Sequence, residues 1–288
     1  FAELMLQQLP PLARIDAMHH EPLDLPLFSS FEIDVSQSGT VTTGCAPDAA
    51  TCPDCLTELW QPGDRRYQYP FINCTNCGPR LSIIRQIPYD RASTTMAEFT
   101  LCAACQQEYD NPADRRFHAQ PNACPDCGPY CWLETPDGEL VASESPFHTL
   151  GEALRDGLIV AIKGIGGVHL ACDATNEQAV KRLRERKQRP HKALALMAAN
   201  IEAIRQFARV NEQDEALLAH PAAPVVLLST QEKTDQLRAI APSVAPDNTK
   251  IGVMLPYSPV HHLLLAEVDF PLVMTSGNRS GEPQAITN

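Results

Sequence analysis

The stretch Cys52-Pro53-Asp54-Cys55 opens a series of four Cys-x-x-Cys pairs that dominates the first half of the chain. The other three pairs begin at Cys74, Cys102 and Cys124. Two residues between cysteines form a tight turn that directs both thiolates at one metal ion. Two such turns complete a tetrahedral set of four sulfur ligands. A closed set of this kind has a structural role, because it leaves no position open for water.

The four pairs belong to an internal repeat. A shift of 50 positions superimposes the first two pairs on the last two. Glu58 then falls on Glu108, and Asp64-Arg65-Arg66-Tyr67 falls on Asp114-Arg115-Arg116-Phe117. Each repeat therefore owns four cysteines, which predicts tandem zinc fingers over residues 45–131, with one zinc ion for each repeat. The eight predicted ligands are Cys52, Cys55, Cys74 and Cys77 at 52–77, and Cys102, Cys105, Cys124 and Cys127 at 102–127.

Other uses of these cysteines stay open from sequence alone. A cross-braced arrangement would give each ion one pair from each repeat, and disulfides or an iron–sulfur cluster would use the same thiols. The total of 11 cysteines is odd and most fall in pairs, which favours metal binding in a reducing compartment and predicts a cytoplasmic location. Cys45, Cys131 and Cys172 lie outside the pairs and are interpreted as free structural thiols, with Cys131 as a substitute ligand in the alternative.

The charge balance bears on possible partners. The chain has 35 acidic and 23 basic residues, and its formal net charge is −12. Such a balance argues against binding nucleic acid over the whole surface. No run of about 18 apolar residues occurs, so no membrane association through a spanning helix is expected.

The repeated arginines Arg65, Arg66, Arg115 and Arg116 have two interpretations. The simpler one is salt bridges to Asp64, Asp114 or the zinc thiolates, and the other is contact with an anionic substrate or another domain. His118 replaces the Gln68 of the first repeat and is interpreted as a structural hydrogen-bonding residue, with a channel or substrate contact as the second interpretation and zinc ligation as the third.

From about residue 144 to residue 288, apolar runs alternate with helical patterns, which predicts an α/β domain. Asn176 is expected to cap one of its helices. The predicted helices cover residues 147–156, 177–188, 201–209, 214–219 and 261–266, and the predicted strands cover residues 158–162, 168–172, 193–197, 225–228 and 272–275.

Three polar elements of this domain suit a nucleotide. Lys163-Gly164-Ile165-Gly166-Gly167 follows a predicted strand, and glycines there let backbone N–H groups approach an anion. Lys187, Arg189 and Lys192 cluster at the end of a helix, where cations can converge on phosphates. Thr275-Ser276-Gly277-Asn278 follows the last predicted strand, a position suited to phosphate or ribose. Each element also has a simpler interpretation: a hairpin turn, a solvated helix face and a polar turn.

The first 40 residues have the pattern of a helix followed by strands. Residues 1–9 are predicted to be helical up to Pro10-Pro11, and residues 13–18 and 31–35 are predicted to be strands. This order fits the tail of a small α/β unit.

The motifs together resemble a known family. The glycine turn, Lys187-x-Arg189 and Ser276-x-Asn278 resemble the YrdC-like domain of threonylcarbamoyl-adenylate synthases. The zinc repeat placed directly before such a domain resembles the HypF family, the carbamoyltransferases that mature nickel–iron hydrogenases. The stretch Phe71-Ile72-Asn73-Cys74-Thr75-Asn76-Cys77-Gly78-Pro79-Arg80 also fits that family. The resemblance covers essentially the whole chain.

The resemblance implies a domain order. Residues 1–40 would be the C-terminal remnant of an acylphosphatase-like domain, and residues 45–131 the tandem fingers. Residues 144–288 would be a C-terminally truncated YrdC-like nucleotide-binding domain, an α/β fold with a mixed twisted sheet and helices. A kinase-like transferase domain would follow. The implied cofactors are two structural zinc ions and ATP with Mg.

The resemblance also implies three chemical steps. Carbamoyl phosphate is hydrolysed to carbamate in the first domain, and the YrdC-like domain joins carbamate to ATP, giving carbamoyl-adenylate and pyrophosphate. The last domain passes the carbamoyl group to the C-terminal cysteine of a HypE-like partner, as precursor of a cyanide ligand. The fingers are expected to be a rigid connector that shapes an internal channel for carbamate.

Residue roles follow from the same resemblance. Lys187, Arg189 and Lys192 would neutralise ATP phosphates, and His169 would orient carbamate unless its role is structural. The remaining residues would bind nucleotide or carbamate: Lys163, Gly166, Gly167, Thr275, Ser276 and Asn278. Two alternatives stay open: a threonylcarbamoyl-adenylate synthase-like enzyme of tRNA modification with a zinc-ribbon module, and a non-catalytic zinc interaction module.

Overall fold

The computed structural model describes residues 2–22, 44–231 and 239–287. Helix α1 covers Ala2–Gln7 and ends before the two prolines, as predicted. The strand predicted at residues 13–18 is wrong, because that segment forms a turn and irregular backbone with mostly exposed side chains. The strand predicted at residues 31–35 lies outside the described residues.

The finger module, residues 45–131, has the same short helix in both repeats. Helix α2 covers Pro53–Trp60 and helix α3 covers Ala103–Asp110. Each begins directly after the first cysteine of its repeat, so the second cysteine lies on the first turn. Helices of eight residues are not stable alone. Their register must therefore come from the surrounding contacts and the metal sites. Three short 3-10 helices occupy the segment between the repeats: Leu81–Ile83, Arg91–Ser93 and Thr95–Glu98.

A small hairpin joins this module to the second half of the chain. Strand β1, Leu133–Glu134, pairs antiparallel with strand β2, Leu140–Val141. The turn between them includes Gly138, which has a φ of 84° that favours glycine.

The α/β domain, residues 144–287, is built on a six-stranded mixed sheet of order β3-β4-β8-β5-β7-β6. Only β5 and β7 pair in parallel, and the other neighbours are antiparallel. The predicted mixed α/β fold is thus confirmed. The strands are β3 Val160–Gly164, β4 Gly167–Asp173, β5 Leu196–Met197, β6 Val226–Ser229, β7 Lys250–Met254 and β8 Leu272–Ser276.

Helices cover both faces of this sheet. Because side chains alternate along a strand, neighbouring residues enter different cores. Leu196 and Val253 pack toward one face, while Met197 and Met254 pack toward the other. Residues from α5, α6 and α7 fill the first core, and residues from α4 and α8 fill the second. The helices are α4 Pro146–Arg155, α5 Glu177–Lys187, α6 Ile201–Arg205, α7 Glu212–Leu218 and α8 Pro259–Ala266.

The sequence prediction missed one central strand. Strand β7 lies between β5 and β6, yet its apolar run is short and contains Gly252, which weakens a strand pattern. The five predicted helices and the other five strands are present with boundaries shifted by a few residues. The cap at Asn176 is confirmed, since its side chain accepts hydrogen bonds from the backbone N–H groups of Gln178 and Ala179.

The finger module packs directly on the α/β domain. The Ala50 N–H donates to the Pro221 carbonyl (2.8 Å), and the Thr51 N–H donates to the Tyr257 carbonyl (3.1 Å). Leu263 of α8 is buried among apolar residues of the first repeat. None of the helices in the described residues has the length and hydropathy needed to cross a membrane.

Candidate metal centres and nucleotide site

The first four-cysteine group brings together Cys52, Cys55, Cys74 and Cys77. Its Sγ–Sγ distances are 3.6 Å for Cys52–Cys74, 3.9 Å for Cys74–Cys77 and 3.5 Å for Cys55–Cys77. These sulfurs are mostly buried, with only Cys52 partly exposed. Apolar residues of the first repeat, Leu263 of α8 and Arg115 of the second repeat pack around this group.

The second group brings together Cys102, Cys105, Cys124 and Cys127. The Sγ–Sγ distances are 3.8 Å for Cys102–Cys124, 3.8 Å for Cys124–Cys127 and 3.6 Å for Cys105–Cys127. Cys102 and Cys127 are both partly exposed, so this group is the more open of the two.

The sulfur geometry of both groups fits a tetrahedral zinc ion. A zinc–sulfur bond of about 2.3 Å requires sulfurs about 3.8 Å apart. The distances are much too long for disulfides, whose sulfurs lie about 2.05 Å apart. Each group draws all its cysteines from one repeat, which is the predicted grouping and not the cross-braced one. Cys131 belongs to neither group and packs against the α/β core instead.

The repeated arginines join the two fingers. Contacts to thiols are confirmed, since Arg65 donates to Cys105 Sγ (2.8 Å) and Arg115 donates to Cys55 Sγ (3.0 Å). The expected carboxylate partners were wrong. The guanidinium groups of the four arginines pair with Glu58 and Glu108 rather than with Asp64 and Asp114. Those aspartates accept hydrogen bonds from the backbone N–H groups of Arg66 and Arg116.

His118 lies outside the metal groups. Its backbone has a positive φ of 51°, as does Gln68 at 53°, so the repeat preserves an unusual backbone turn at this position. The imidazole packs against the rings of Tyr109 and Phe117, with centroid distances of 5.0 and 4.5 Å. This packing supports the structural interpretation over zinc ligation.

The α/β domain brings the Lys-x-Arg and Ser-x-Asn elements into contact. Lys187, at the end of α5, is buried, and its Nζ donates to the Ser276 carbonyl and to the Asn278 carbonyl (2.8 Å) and Oδ1 (3.1 Å). Ser276 Oγ donates to Asn278 Oδ1 (2.6 Å). Burial and the nearby Arg189 lower the pKa of Lys187. These residues form one polar cluster at the end of β8.

The loop that follows α5 is held by Arg184, which the sequence did not single out. Its Nη1 donates to the carbonyls of Arg189 (2.7 Å) and Lys192 (3.1 Å). Arg189 Nη2 in turn donates to the Ala193 carbonyl (2.8 Å). The helix ends at Gln188 in the left-handed conformation (φ 52°). Lys192 is exposed in this loop, and its carbonyl oxygen lies 3.4 Å from Arg189 Nε.

His169 lies on β4 opposite Ser276 of β8 and therefore borders the same cluster. Its Nε2 is 3.3 Å from the Tyr257 hydroxyl, and its ring centroid is 5.8 Å from that of His261. His261 is fully buried, and its Nδ1 is 2.9 Å from Ser258 Oγ. Burial lowers the pKa of His169 and lowers that of His261 to about 3, with the neighbouring His169 adding to the second shift.

Three of these contact residues, Tyr257, Ser258 and His261, were not identified from the sequence. Ser258 precedes Pro259 at the start of α8 and accepts a hydrogen bond from the His261 N–H, a pattern that signals a helix cap. Nothing local indicates that the cap also faces β4, because that proximity arises only from the sheet topology.

The glycine turn is a β-hairpin. Gly164 and Gly167 form the last pair of β3 and β4, and Gly166 has a φ of 83°. A Cβ on Gly167 would lie 2.9 Å from the Gln284 side chain, so the end of the described chain packs against this turn. The motif thus forms the hairpin turn of the simpler interpretation. Lys163 lies on β3 with an exposed side chain.

A cleft of about 230 Å³ lies where the finger module meets the α/β domain. Ile165 of the hairpin turn and Tyr257 form its α/β wall, and Asp48 lies on the finger side. Tyr257 links this cleft to His169. The complete lining is Asp48, Ala49, Ala50, Ile165, Pro221, Ala222, Ala223 and Tyr257.

This combination defines a class: tandem four-cysteine fingers joined to a YrdC-like α/β domain. The family model described as HypF finger matches residues 51–84 and 101–134. The Sua5/YciO/YrdC model, described as Telomere recombination, matches residues 152–288. HypF relatives that are 50% identical match the chain over its whole length, so the chain belongs to the HypF carbamoyltransferase family.

A carbamoyltransferase HypF from Synechocystis is 50% identical over 289 residues, which cover 100% of this chain and 37% of that protein. A crystal structure of full-length HypF in a phosphate- and nucleotide-bound form superposes with a TM-score of 0.91 at 43% identity. The match covers 100% of this chain and 37% of the crystallised chain. A threonylcarbamoyl-AMP synthase from Vibrio cholerae is 32% identical over 143 residues, covering 47% of this chain and 72% of that protein. The chain thus spans a little over a third of the HypF relatives it matches.

Proposed function

We propose that this chain is the carbamoyl-adenylating part of a HypF-type carbamoyltransferase. The observation that carries the proposal is the meeting of Lys187 with Ser276 and Asn278 at the end of β8. A full-length HypF has been crystallised in a phosphate- and nucleotide-bound form, which supports nucleotide binding in this family. The reaction joins carbamate to ATP, with Mg²⁺ on the phosphates, and releases pyrophosphate.

The cation set divides by burial. Lys187 is 2% exposed, and its ammonium group donates hydrogen bonds to backbone and amide oxygens. We therefore propose that Lys187 holds the Ser276–Asn278 turn in the conformation that binds phosphate or ribose. Arg189 and Lys192 are less buried and would contact the phosphates themselves. Fixed cations of this kind stabilise the charge that builds up on the phosphates as the leaving group departs. Thr275, buried on β8, completes the assigned nucleotide residues.

The carbamate side of the site is assigned to His169 and the glycine hairpin. Burial lowers the pKa of His169, so its imidazole is neutral near pH 7 and can exchange hydrogen bonds without repelling Lys187. We propose that His169, Lys163 and the backbone of Gly166 and Gly167 orient carbamate. One carbamate oxygen then bonds to the α-phosphorus, and the bond from that phosphorus to the pyrophosphate oxygen breaks.

The rest of the pathway is proposed from the family. Carbamate would come from carbamoyl phosphate hydrolysed by an acylphosphatase-like domain, of which residues 1–40 are the tail. The carbamoyl group would pass to the C-terminal cysteine of a HypE-like partner and become a precursor of the hydrogenase cyanide ligands. The cleft between the fingers and the α/β domain would lie on the carbamate route. Eight thiols arranged as metal ligands fit a reducing, cytoplasmic setting.

A second candidate is favoured by the threonylcarbamoyl-AMP synthase relative, which matches the α/β domain. That enzyme class adenylates a threonine-derived carbamate. Exchange of labelled pyrophosphate into ATP separates the two, because each reaction is reversible only with its own acid. We expect exchange to depend on carbamate and to be unaffected by threonine with bicarbonate.

Variants of the cation set provide the test of the site. We expect Arg189→Ala to lower carbamate-dependent exchange about a hundredfold, the scale of losing one fixed electrostatic contact to the reacting phosphate. Lys181→Ala is the control, since Lys181 lies on α5, just before the loop that contains Arg189, but its exposed side chain pairs with Glu177 at 3.2 Å. Equal exchange in the wild type, Arg189→Ala and Lys187→Ala would remove the assignment.

A further inference from the structure

The arginines of each finger contact the cysteines and acidic residues of the other finger. In the first finger, Arg65 Nη2 donates to Cys105 Sγ (2.8 Å), a predicted zinc ligand of the second finger. Arg66 Nη2 lies 3.5 Å from the same sulfur and 2.5 Å from Glu108. The Arg66 side chain is 2% exposed, so its guanidinium is shielded from water.

The second finger returns the same contacts. Arg115 Nη1 donates to Cys55 Sγ (3.0 Å), and Arg115 Nη2 lies 2.5 Å from Glu58. Arg116 also pairs with Glu58, and its side chain is 4% exposed. A 4.0 Å approach of Arg116 to Glu108 joins the two ion-pair groups into one network. The exchange is therefore reciprocal under the 50-residue shift.

The exchange extends to the backbone beside the ligands. Arg66 Nε donates to the Ala123 carbonyl (2.8 Å), and Arg116 Nε donates to the Asn73 carbonyl (3.1 Å). Residues 73 and 123 are equivalent, and each directly precedes a cysteine ligand of its own finger. Each buried guanidinium thus contacts the helix of the other finger, which contains the second cysteine ligand. It also contacts the backbone directly before that finger's third cysteine ligand.

The charges make these contacts consequential. A zinc ion with four thiolates has a net charge of −2, and hydrogen bonds from cations to the ligand sulfurs offset it. Residues that contact metal ligands orient them and commonly change metal affinity about 10- to 100-fold when removed. Here the contacting residues belong to the neighbouring finger, so the effect must cross between repeats.

We propose that each arginine pair positions the zinc ligands of the other finger, so that the two zinc ions are retained cooperatively. Losing the pair in one finger weakens metal retention in its neighbour before its own. This coupling rests on the finger geometry alone and is independent of the adenylation chemistry.

The test follows metal release at each site separately. The zinc-loaded protein is exposed to a chelator together with a thiol-alkylating reagent, and peptide mass spectrometry measures the labelling rates of the two cysteine sets. Arg115→Gln and Arg65→Gln are the preferred variants, because these side chains are 23% and 33% exposed and their loss spares the buried pair. Arg85→Gln is the control, since the ion pair of Arg85 with Glu98 (2.7 Å) lies between the fingers.

The readout is the ratio of the two labelling rates relative to the wild type. Arg115→Gln should speed labelling of the first set, Cys52 to Cys77, about tenfold over the second, and Arg65→Gln should do the reverse. Arg85→Gln should leave the ratio unchanged. A ratio that is unaltered, or that moves toward the finger carrying the substitution, overturns the proposal. If a glutamine variant does not load two zinc ions, the lysine variant at the same position replaces it, and the same criterion applies.

Discussion

The finger module and the α/β domain differ in what fills their interiors. The fingers bury arginines, amides and thiols, with Arg66, Asn73, Arg116 and Asn122 all at 4% exposure or less. The α/β domain buries two aliphatic layers, one on each face of its sheet. The fingers have only a small apolar cluster, around Leu59, Tyr69 and Ile72, so we expect them to depend on bound metal, whereas the sheet has a larger core on each face.

Zinc removal is expected to have the largest effect. An equal effect on the fingers and the sheet would show that the two regions do not differ in their dependence on metal. A strong chelator should unfold residues 52–127 and leave the sheet protected, because each structural zinc contributes on the order of 10 kcal/mol. Hydrogen exchange with peptide resolution measures this. Added zinc should restore protection, and loss of protection in β8 as early as in α2 would contradict the account.

A core truncation should show the opposite dependence. Leu196 of β5 is fully buried, so Leu196→Ala should lower the free energy of unfolding of the α/β domain by about 2–5 kcal/mol. The zinc content should stay at two ions per chain. Urea unfolding and metal analysis measure the pair of values, with Leu227→Ala on the exposed face of β6 as the control.

Acid should reveal the buried histidine of the α/β domain. The pKa of His261 falls from an unfolded value of 6.5 to about 3, so the unfolded chain binds the proton more readily. This contribution to stability is complete above pH 6.5 and is lost as the pH falls toward 3, with a slope of up to about 1.4 kcal/mol for each pH unit. His261→Asn should flatten the pH dependence of unfolding of the sheet. An unchanged slope would assign the acid sensitivity to other groups.

The smallest effect concerns one helix cap. Asn176→Ala should lower the free energy of unfolding of the α/β domain by about 1 kcal/mol, because two N–H groups of α5 lose their acceptor. Asn176→Asp should restore most of it. Thermal unfolding of the three proteins measures the difference, and equal stability would mean that the loop before α5 compensates.

The fingers also show which features can be predicted from sequence and which cannot. The two four-cysteine groups were predictable because ligand type and spacing are local properties, and the repeat predicted which pairs come together. The partners of the arginines were not predictable, since Glu58 and Glu108 meet them only after the two fingers pack. Asp64 and Asp114 are near in sequence but hold backbone N–H groups instead.

In the α/β domain, patterns predicted most elements but not their arrangement. Strand β7 was missed because its three apolar residues, interrupted by Gly252, have no clear period. The contact of Lys187 with Ser276 was inferred through the family resemblance rather than from spacing. His261 and Tyr257 reach His169 across the sheet, and residues 88 or more positions apart in sequence give no local signal.

Adenylation of carbamate, the proposed reaction of this site, can be measured directly. The most direct measurement incubates the zinc-loaded chain with ATP and ¹³C-labelled carbamate, quenches in acid, and searches for labelled adenylate by mass spectrometry. We expect labelled carbamoyl-adenylate to form in the wild type and in Lys181→Ala, and to be absent in Arg189→Ala. A labelled adenylate that forms only when threonine is present would contradict it.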